Sequence, residues 1–459
     1  MLDLDTAARV LGGARSGPNV TFSAVNTDSR HSQPGELFVA LRGERFDGHA
    51  FVAAALALGA AAALVEQGRL PATADTPMIS VPDTGQALGA LAAYWRGRFD
   101  IPVVAITGSN GKTTVKDMLA LVLSAVAGEG AVLATSGNLN NHIGVPLMLL
   151  RLRERHRYAA IEMGMNHLGE IGYLARLARP DVALVTNAGV AHLGEVGSRQ
   201  AIARAKGEIF GALGATGVAV INADDEYASY WRQLNRDRRI VDFGIDRVAA
   251  VSARFELSSA GSLVSVRAPD AQYVVRLQVP GLHNVRNALA AAACAHAVGV
   301  APPEIAAGLA RYAGTKGRLQ RMGARGGATL IDDTYNANPD SVKAAIAVLA
   351  AAPGERVLVL GDMGELGQEG AALHAQTGEE ARRAGVDHLL TLGELSEAAA
   401  RAFGSGAKHF RELDALATAL DGLLSADTTV LVKGSRFMRM ERVVQHLING
   451  EPQPAVGGH

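Results

Sequence analysis

The 459-residue chain contains a single cysteine, so no disulfide bond can form within it. Cys294 lies in an alanine-rich run, residues 290–297, where a small core residue is expected. The net charge is only −1 at pH 7, which removes any electrostatic argument for a nucleic-acid partner or an anionic membrane. A lone core thiol fits a reducing compartment. These absences favour a cytoplasmic protein that binds no nucleic acid.

Long apolar runs are also absent. The longest uncharged apolar run, residues 50–65, is mostly alanine and is interrupted by Gly59. It is shorter than the roughly 18 residues that a membrane span needs, so it predicts a helix, a glycine stop and a strand. Residues 1–5 do not show the basic region and apolar core of a secretory signal. We therefore expect no membrane span and no secretion.

Lysine is scarce, because only 7 of the 44 basic residues are lysines. Arginine can replace lysine as a surface cation, but not as a compact ammonium or as a nucleophilic amine. A lysine inside a motif is therefore informative. Lys112 and Lys206 both lie in such segments.

The strongest motif follows an apolar β-branched strand at residues 103–106. Its glycines and helix start predict a loop whose backbone N–H groups face phosphates, with Lys112 on the outer phosphates and Thr113 on Mg²⁺. The longer form of this loop would have a glycine in place of Ile106. An ordinary glycine-rich turn is the alternative interpretation. The predicted nucleotide-binding residues are Gly108, Ser109, Asn110, Gly111, Lys112, Thr113 and Thr114.

Strands alternate with helices along the whole chain, which predicts an α/β fold with parallel sheets. The length suggests about three domains. We place them at residues 1–98, 99–312 and 313–459. The central domain contains the phosphate loop, and in open α/β sheets ligands collect at the carboxyl ends of the strands.

Three further residues of the central domain could join the phosphate loop. Glu162 directly follows a strand, His192 follows the next strand along, and Lys206 lies on a predicted helix. A carboxylate at a strand end can bind a hard cation. Each also has a structural interpretation: a solvated glutamate, a core histidine and a salt-bridged lysine.

With these segments together, the chain resembles the Mur ligase family of cell-wall biosynthesis over nearly its whole length. That family uses the tighter G-x-x-G-K-[ST] loop, which accounts for Ile106. The resemblance implies ATP and two Mg²⁺ ions as cofactors, with Glu162 on one ion, His192 on the second, and Lys206 carbamylated by CO₂. Lys112, Lys206 and His192 are then the predicted catalytic residues.

The resemblance also implies a fold and further nucleotide contacts. It implies a central P-loop ATPase domain with a parallel sheet, flanked by a UDP-binding N-terminal α/β domain and a Rossmann-like C-terminal domain. Asn287, in the segment 281–288, is expected beside the adenine. Arg318 and Asp333 are expected to hold phosphate and ribose from the third domain.

Two segments narrow the choice within the family. Residues 332–341 (DDTYNANPDS) and 162–171 (EMGMNHLGEI) resemble the member that adds D-alanyl-D-alanine to UDP-N-acetylmuramoyl-tripeptide, although Met165 and Leu168 stand where Ala and Pro are more usual. The member that adds diaminopimelate or lysine would show D-N-P-R, and this chain has Asp340 in place of the arginine.

The resemblance further implies substrate contacts in the outer domains. For the UDP substrate, the candidates are Ser29, Arg30, Asp47, Gly48 and His49, with Asx turns and helix caps as the alternative interpretation. For the dipeptide, the candidates are Asn336, Asn338, Ser435 and Arg436. Asn338 and Pro339 also form an ordinary helix start.

Three rival functions stay open at this point. One is the diaminopimelate- or lysine-adding Mur ligase, and another is an enzyme like folylpolyglutamate synthase, against which the UDP-type first block argues. The third is a nucleotide switch without enzymatic activity, although the chain lacks the guanine-reading N-K-x-D motif. We also expect a monomer.

Overall fold

The computed structural model describes residues 1–44, 46–71, 73, 75–189, 194 and 197–449. Within these residues the chain forms three α/β units, each built on its own sheet, and a small two-stranded sheet near the N-terminus. The three main sheets lie within residues 14–81, 103–277 and 320–433. The domain boundaries after residues 98 and 312 stay a prediction.

The first unit carries a five-stranded sheet in the order β2-β7-β6-β5-β4, in which only β2 is antiparallel to its neighbour. Short 3₁₀ helices at Ser29–His31 and Gly48–Phe51 connect its elements. The elements are β1 (Leu2–Asp3), α1 (Leu4–Leu11), β2 (Ala14–Ser16), β3 (Thr21–Phe22), β4 (Ala24–Asn26), β5 (Glu36–Val39), α2 (Val52–Ala57), β6 (Ala62–Glu66), β7 (Met78–Val81) and α3 (Thr84–Arg96).

The second unit carries a nine-stranded sheet in the order β16-β15-β14-β13-β12-β11-β8-β10-β9. Its elements are β8 (Val103–Thr107), α4 (Lys112–Ala127), β9 (Val132–Ala134), α5 (Gly144–Leu149), β10 (Tyr158–Glu162), α6 (Glu170–Ala178), β11 (Val182–Val185), α7 (Arg199–Gly207), β12 (Val218–Asn222), α8 (Ala228–Leu234), β13 (Arg239–Gly244), β14 (Val251–Ser258), β15 (Gly261–Ala268), β16 (Ala271–Leu277), α9 (Leu282–Ala297) and α10 (Pro302–Ala310).

Strands β8 to β14 of this sheet pair in parallel. Strands β8, β10 and β11 are buried, mostly apolar runs of the kind that helices cover on both faces. The parallel prediction missed the last two strands, because β15 and β16 pair antiparallel. Two-residue loops at 259–260 and 269–270 permit these hairpins, since antiparallel neighbours need no crossover helix. Residues of β15 alternate between buried and exposed, which is typical of a sheet with one solvated face.

The third unit carries a six-stranded sheet in the order β17-β18-β22-β19-β20-β21, in which only β17 is antiparallel. Its elements are β17 (Gln320–Gly323), β18 (Thr329–Asp333), α11 (Pro339–Ala350), β19 (Glu355–Gly361), α12 (Gly370–Arg383), β20 (His388–Leu392), α13 (Glu397–Phe403), β21 (Ala407–Phe410), α14 (Leu413–Asp421), β22 (Thr428–Lys433) and α15 (Glu441–Asn449). Two apolar clusters cover the two faces of this sheet.

The first two units share one apolar core, because a single cluster of buried residues extends from β1 to α8. At the end of α3, Trp95 donates its indole N–H to Leu152 O at 3.1 Å. The buried Arg96 donates to Ala178 O at 2.9 Å and to Arg179 O at 3.2 Å, so it satisfies carbonyls at the end of α6. The first unit is therefore fixed directly to the second.

Strand β8 lies between β10 and β11. After β8 the chain forms β9 and β10 on one side of it, and then crosses to form β11 and β12 on the other side. At such a switch point the crevice outside the strand ends is the usual ligand site. The third unit lies over this crevice, as the contacts below show. None of the helices in the described ranges is long and apolar enough to cross a bilayer.

Candidate nucleotide site

The turn from β8 into α4 is held open by two glycines. Gly108 has φ +150° and Gly111 has φ +83°, in the region that glycine adopts without strain. A Cβ atom at Gly108 would overlap Thr186 Oγ1, and one at Gly111 would overlap Asn287 Oδ1. The loop backbone is therefore in close contact with both neighbours. The role of Asn287 beside the adenine stays a prediction.

Lys112 opens α4 and folds back over the loop. Its Nζ donates to Gly108 O at 2.7 Å and to Ser109 O at 3.3 Å. Burial lowers the pKa of Lys112, and the nearby Glu162 carboxylate opposes that change. The ammonium is held where the loop carbonyls and an acidic group surround it.

Glu162, at the end of β10, is 2 % exposed and accepts hydrogen bonds from two side chains. Thr113 Oγ1 donates to its Oε2 at 2.8 Å, and Asn140 Nδ2 donates to its Oε1 at 2.8 Å. The backbone N–H of Glu162 donates to Thr135 Oγ1 at 2.9 Å. The hydroxyl and the carboxylate are oxygen donors of the kind that Mg²⁺ prefers, so Thr113 and Glu162 fit a magnesium ion.

Lys206 lies near the end of α7 and is 1 % exposed. Burial, together with the positive charge of Lys112, lowers its pKa well below the usual range. Lys206 does not line the large cavity that lies between the second and third units.

His192, the other predicted metal ligand, lies outside the described residues. In the part of the chain that the structure describes, no three His, Cys, Asp or Glu side chains cluster as a metal site.

The third unit supplies side chains to the same site. Arg318 Nη2 donates to Thr113 Oγ1 at 3.0 Å, and its guanidinium lies 4.3 Å from the centre of the Tyr335 ring. Asp333, at the end of β18, contacts Lys433 with 2.5 Å between Oδ2 and Nζ. Burial raises the pKa of Asp333, while the Lys433 ammonium opposes the rise.

The charged side chains described above, except that of Lys206, surround one cavity of about 1400 Å³ between the second and third units. The third-unit wall includes the four predicted dipeptide residues Asn336, Asn338, Ser435 and Arg436. Ser435 Oγ donates to Ala337 O at 3.0 Å and accepts from the Gly364 N–H at 2.8 Å. Arg436 is exposed and lies 3.3 Å from Glu441 Oε1. The phosphate loop and the predicted acceptor residues therefore share one cavity.

Three family models match the chain: "Mur ligase family, catalytic domain" at residues 21–96, "Mur ligase middle domain" at 106–295, and "Mur ligase, glutamate ligase domain" at 317–436. The UDP-N-acetylmuramoyl-tripeptide–D-alanyl-D-alanine ligase of Escherichia coli is 45% identical over 95% of this chain and 96% of its own. The chain belongs to the Mur ligase family. Its three-domain α/β architecture is that of the solved relatives.

Two solved Mur ligases illustrate the similarity. MurF from Acinetobacter baumannii is 39% identical, with a TM-score of 0.91 over 96% of this chain and 98% of its own. MurF from Thermotoga maritima, solved in complex with ADP, is 27% identical, with a TM-score of 0.81 over 92% of this chain and 96% of its own.

The predicted UDP contacts of this Mur ligase lie in the first unit and do not line the large cavity. Ser29 begins a short 3₁₀ helix, and Arg30 forms two hydrogen bonds of 2.9 Å with the Asp28 carboxylate. Asp47 accepts from His49 Nδ1 at 2.5 Å, and His49 Nε2 accepts from the Glu66 N–H at 2.8 Å. Both ring nitrogens of His49 are thus already used within the fold.

Gly48 stands between Asp47 and His49 at the start of the second 3₁₀ helix. A Cβ at this position would lie 2.6 Å from Leu41 O. Only glycine therefore fits where the segment turns against the residues that follow β5. The position of the predicted UDP segment is set by tight local packing.

Three side chains that position the site of this Mur ligase were not predicted from the sequence. Lys433 pairs with Asp333, and Asn140 donates a hydrogen bond to Glu162. The ring of Tyr335 packs against the Arg318 guanidinium. The scarcity of lysine could have identified Lys433, because it follows a buried strand in the way that Glu162 does. Tyr335 lies in the segment 332–341 that the resemblance singles out, whereas no local pattern marks Asn140.

Proposed function

We propose that this Mur ligase is an ATP-dependent amide ligase that joins D-alanyl-D-alanine to UDP-N-acetylmuramoyl-tripeptide. The single observation that carries the proposal is the position of residues 332–341. This segment, whose sequence resembles the dipeptide-adding member of the family, lies on the wall of the cavity that contains the phosphate loop. The product is the UDP-MurNAc-pentapeptide, a precursor of peptidoglycan.

The reaction needs two steps, because a peptide carboxylate is a poor electrophile. A carboxylate oxygen of the tripeptide first attacks the γ-phosphorus of ATP, and ADP leaves, which gives an acyl phosphate. The uncharged amine of the dipeptide then attacks the acyl carbon, inorganic phosphate leaves with the bonding electron pair, and an amide forms after the nitrogen loses a proton.

The chain contributes position and charge to these steps. The backbone of residues 108–111 and the Lys112 ammonium bind the phosphates, and Arg318 brings a second cation from the third domain to the Thr113 hydroxyl. Mg²⁺, when bound, neutralises charge on the transferring phosphoryl group, and Thr113 and Glu162 are the residues that would hold it. Asn287 binds the adenine side and Asp333 the ribose.

Further parts of the proposal rest on the family resemblance. They are a second Mg²⁺ on His192, a carbamate on Lys206, and dipeptide contacts by Asn336, Ser435 and Arg436. The depressed pKa of Lys206 supports the carbamate, because only an uncharged amine adds to CO₂. We also propose UDP contacts in the first domain by residues 29–30 and 47–49, a monomer, and a cytoplasmic location.

The test is ADP release with UDP-N-acetylmuramoyl-tripeptide and D-alanyl-D-alanine, beside reactions that offer diaminopimelate, lysine or no acceptor. Turnover only with the dipeptide supports the proposal. A preference for a single amino acid would move the enzyme to another member of the family. Turnover without an acceptor would favour a nucleotide switch.

A pair of lysine variants provides a matched control. Lys112→Met should abolish turnover, because it removes the phosphate-binding ammonium. Lys343→Met removes an exposed lysine of α11 that pairs with Glu380 at 3.6 Å, and it should retain turnover. Full turnover in Lys112→Met as well as in Lys343→Met would mean that the phosphate loop is not the reactive site.

A further inference from the structure

We propose that Asn338 is a positioning residue that ties the third domain to the phosphate loop, and that it acts on nucleotide binding rather than on recognition of the dipeptide. The inference rests on the proposed function, because it assigns a role within the same cavity. It differs from the expectation that Asn338 contacts the acceptor.

Both polar atoms of the Asn338 side chain form hydrogen bonds within the protein. Its Oδ1 accepts from the Ser341 N–H at 2.9 Å and caps α11, and the Asn338 N–H donates back to Ser341 Oγ at 3.0 Å. Its Nδ2 donates to Asn110 Oδ1 at 2.8 Å. Asn338 is only 8 % exposed. One side chain therefore both starts a helix of the third domain and reaches the phosphate loop.

Asn110 is held from the opposite side by the central sheet. Its backbone N–H donates to Asn187 Oδ1 at 2.9 Å. Its carbonyl accepts from Thr186 Oγ1 at 2.7 Å and from Asn187 Nδ2 at 3.1 Å. The backbone of Asn110 is thus fixed by the end of β11, and its side chain by the third domain. The resulting chain of neutral amides orients the middle of the loop that would bind phosphate.

The neighbouring Asn336 differs in each of these respects. Asn336 is exposed to the cavity, and its Oδ1 accepts from the N–H of Ala337 at 2.9 Å. The Asn336 NH₂ group donates no hydrogen bond within the described ranges. Of the two asparagines, Asn336 is therefore the one that can contact an acceptor, while the polar groups of Asn338 are committed to the helix cap and the loop.

The test substitutes Asn338→Ser and measures ADP binding by calorimetry in the absence of tripeptide and acceptor. Serine caps a helix as well as asparagine does, but it is too short to reach Asn110. We expect ADP affinity to fall about tenfold, which is about 1.4 kcal/mol, while the KM for D-alanyl-D-alanine changes less than about twofold. If the unaltered protein does not bind ADP, the proposed function fails; if both proteins bind ADP equally, the inference alone fails.

A double-mutant cycle adds a readout that a general structural role would not produce. In the Asn110→Ala background, Asn338→Ser should have almost no further effect on ADP affinity, because the partner atom is already gone. An equally large effect in both backgrounds would overturn the inference, as would a rise confined to the dipeptide KM.

Two controls separate the bridge from the helix cap. Asp83→Ser exchanges the cap of α3, where Asp83 Oδ1 accepts from the Gln86 N–H at 2.8 Å, and it should leave ADP affinity unchanged. Asn338→Ala removes both the cap and the bridge, and should lower the unfolding midpoint where Asn338→Ser does not. If Asn338→Ser is as destabilised as Asn338→Ala, its loss of affinity reflects folding and the inference is overturned.

Discussion

Removing Lys433 should destabilise the third domain strongly. Lys433 is 3 % exposed and Asp333 is 8 % exposed, and their charged atoms lie 2.5 Å apart. Lys433 Nζ also donates to Asn336 O at 2.9 Å. Lys433→Met would leave a buried carboxylate without its main partner, and such a loss costs about 3–5 kcal/mol. The pKa of Asp333, already raised by burial, should rise further.

The assay is urea unfolding of the full chain at pH 7, followed by circular dichroism, with the third-domain transition analysed separately if the domains unfold in steps. Arg356→Met is the matched control on the same sheet. Arg356 Nε lies 3.0 Å from Asp387 Oδ2 in a pair that is partly open to water, so the control should lose only about 0–1 kcal/mol.

The double variant Lys433→Met with Asp333→Asn distinguishes an unpaired charge from lost packing. It removes both charges, and we expect it to recover much of the stability that Lys433→Met loses. A Lys433→Met variant that loses no more stability than Arg356→Met would contradict this expectation. So would a double variant that is less stable than Lys433→Met alone.

Four further outcomes can be measured directly. Gly111→Ala should weaken ADP binding at least about tenfold, because a Cβ at φ +83° would also overlap Asn287 Oδ1; affinity within twofold of the unaltered protein would contradict this. Lys206→Ala should lose turnover and regain part of it with added short-chain carboxylates, and a complete lack of rescue together with an unmodified lysine in mass spectra would count against the carbamate. Burial raises the pKa of the Cys294 thiol, so alkylating reagents should label it only after unfolding, and rapid labelling of the native protein would show that the site is open. Burial lowers the pKa of His283 to about 4, against about 6.5 in the unfolded chain. Between these pH values the unfolded chain binds a proton that the folded protein does not, so the free energy of unfolding should fall by up to about 3 kcal/mol as the pH drops from 7 to 4. His283→Gln should remove that part of the pH dependence.

The phosphate loop was predictable because its signals are local. The glycines, the lysine and the threonine occur within seven residues, and the preceding strand sets their direction. Glu162 was predictable for a similar reason, since it ends a buried strand beside the loop. The family resemblance then supplied the three-domain architecture, which the structure shares with solved relatives.

The contacts between distant segments were not predictable from the sequence. Asn110 and Asn338 are 228 positions apart, and Lys433 meets Asp333 only because β22 pairs with β18 in the observed register. Periodicity also could not distinguish the hairpins β14 to β16 from parallel strands, because the direction of a strand depends on the connection and not on the apolar pattern. These features required the assembled sheets.

The core shared by the first two units has a consequence for dissecting the protein. Trp95 and Arg96 fill the junction, and the apolar cluster continues from one sheet to the other. A fragment that begins at residue 99 would expose apolar surface that the first unit covers, and exposed patches of this kind promote self-association. The first 98 residues are therefore not a removable module: a truncated enzyme would be expected to aggregate even though its phosphate loop is complete.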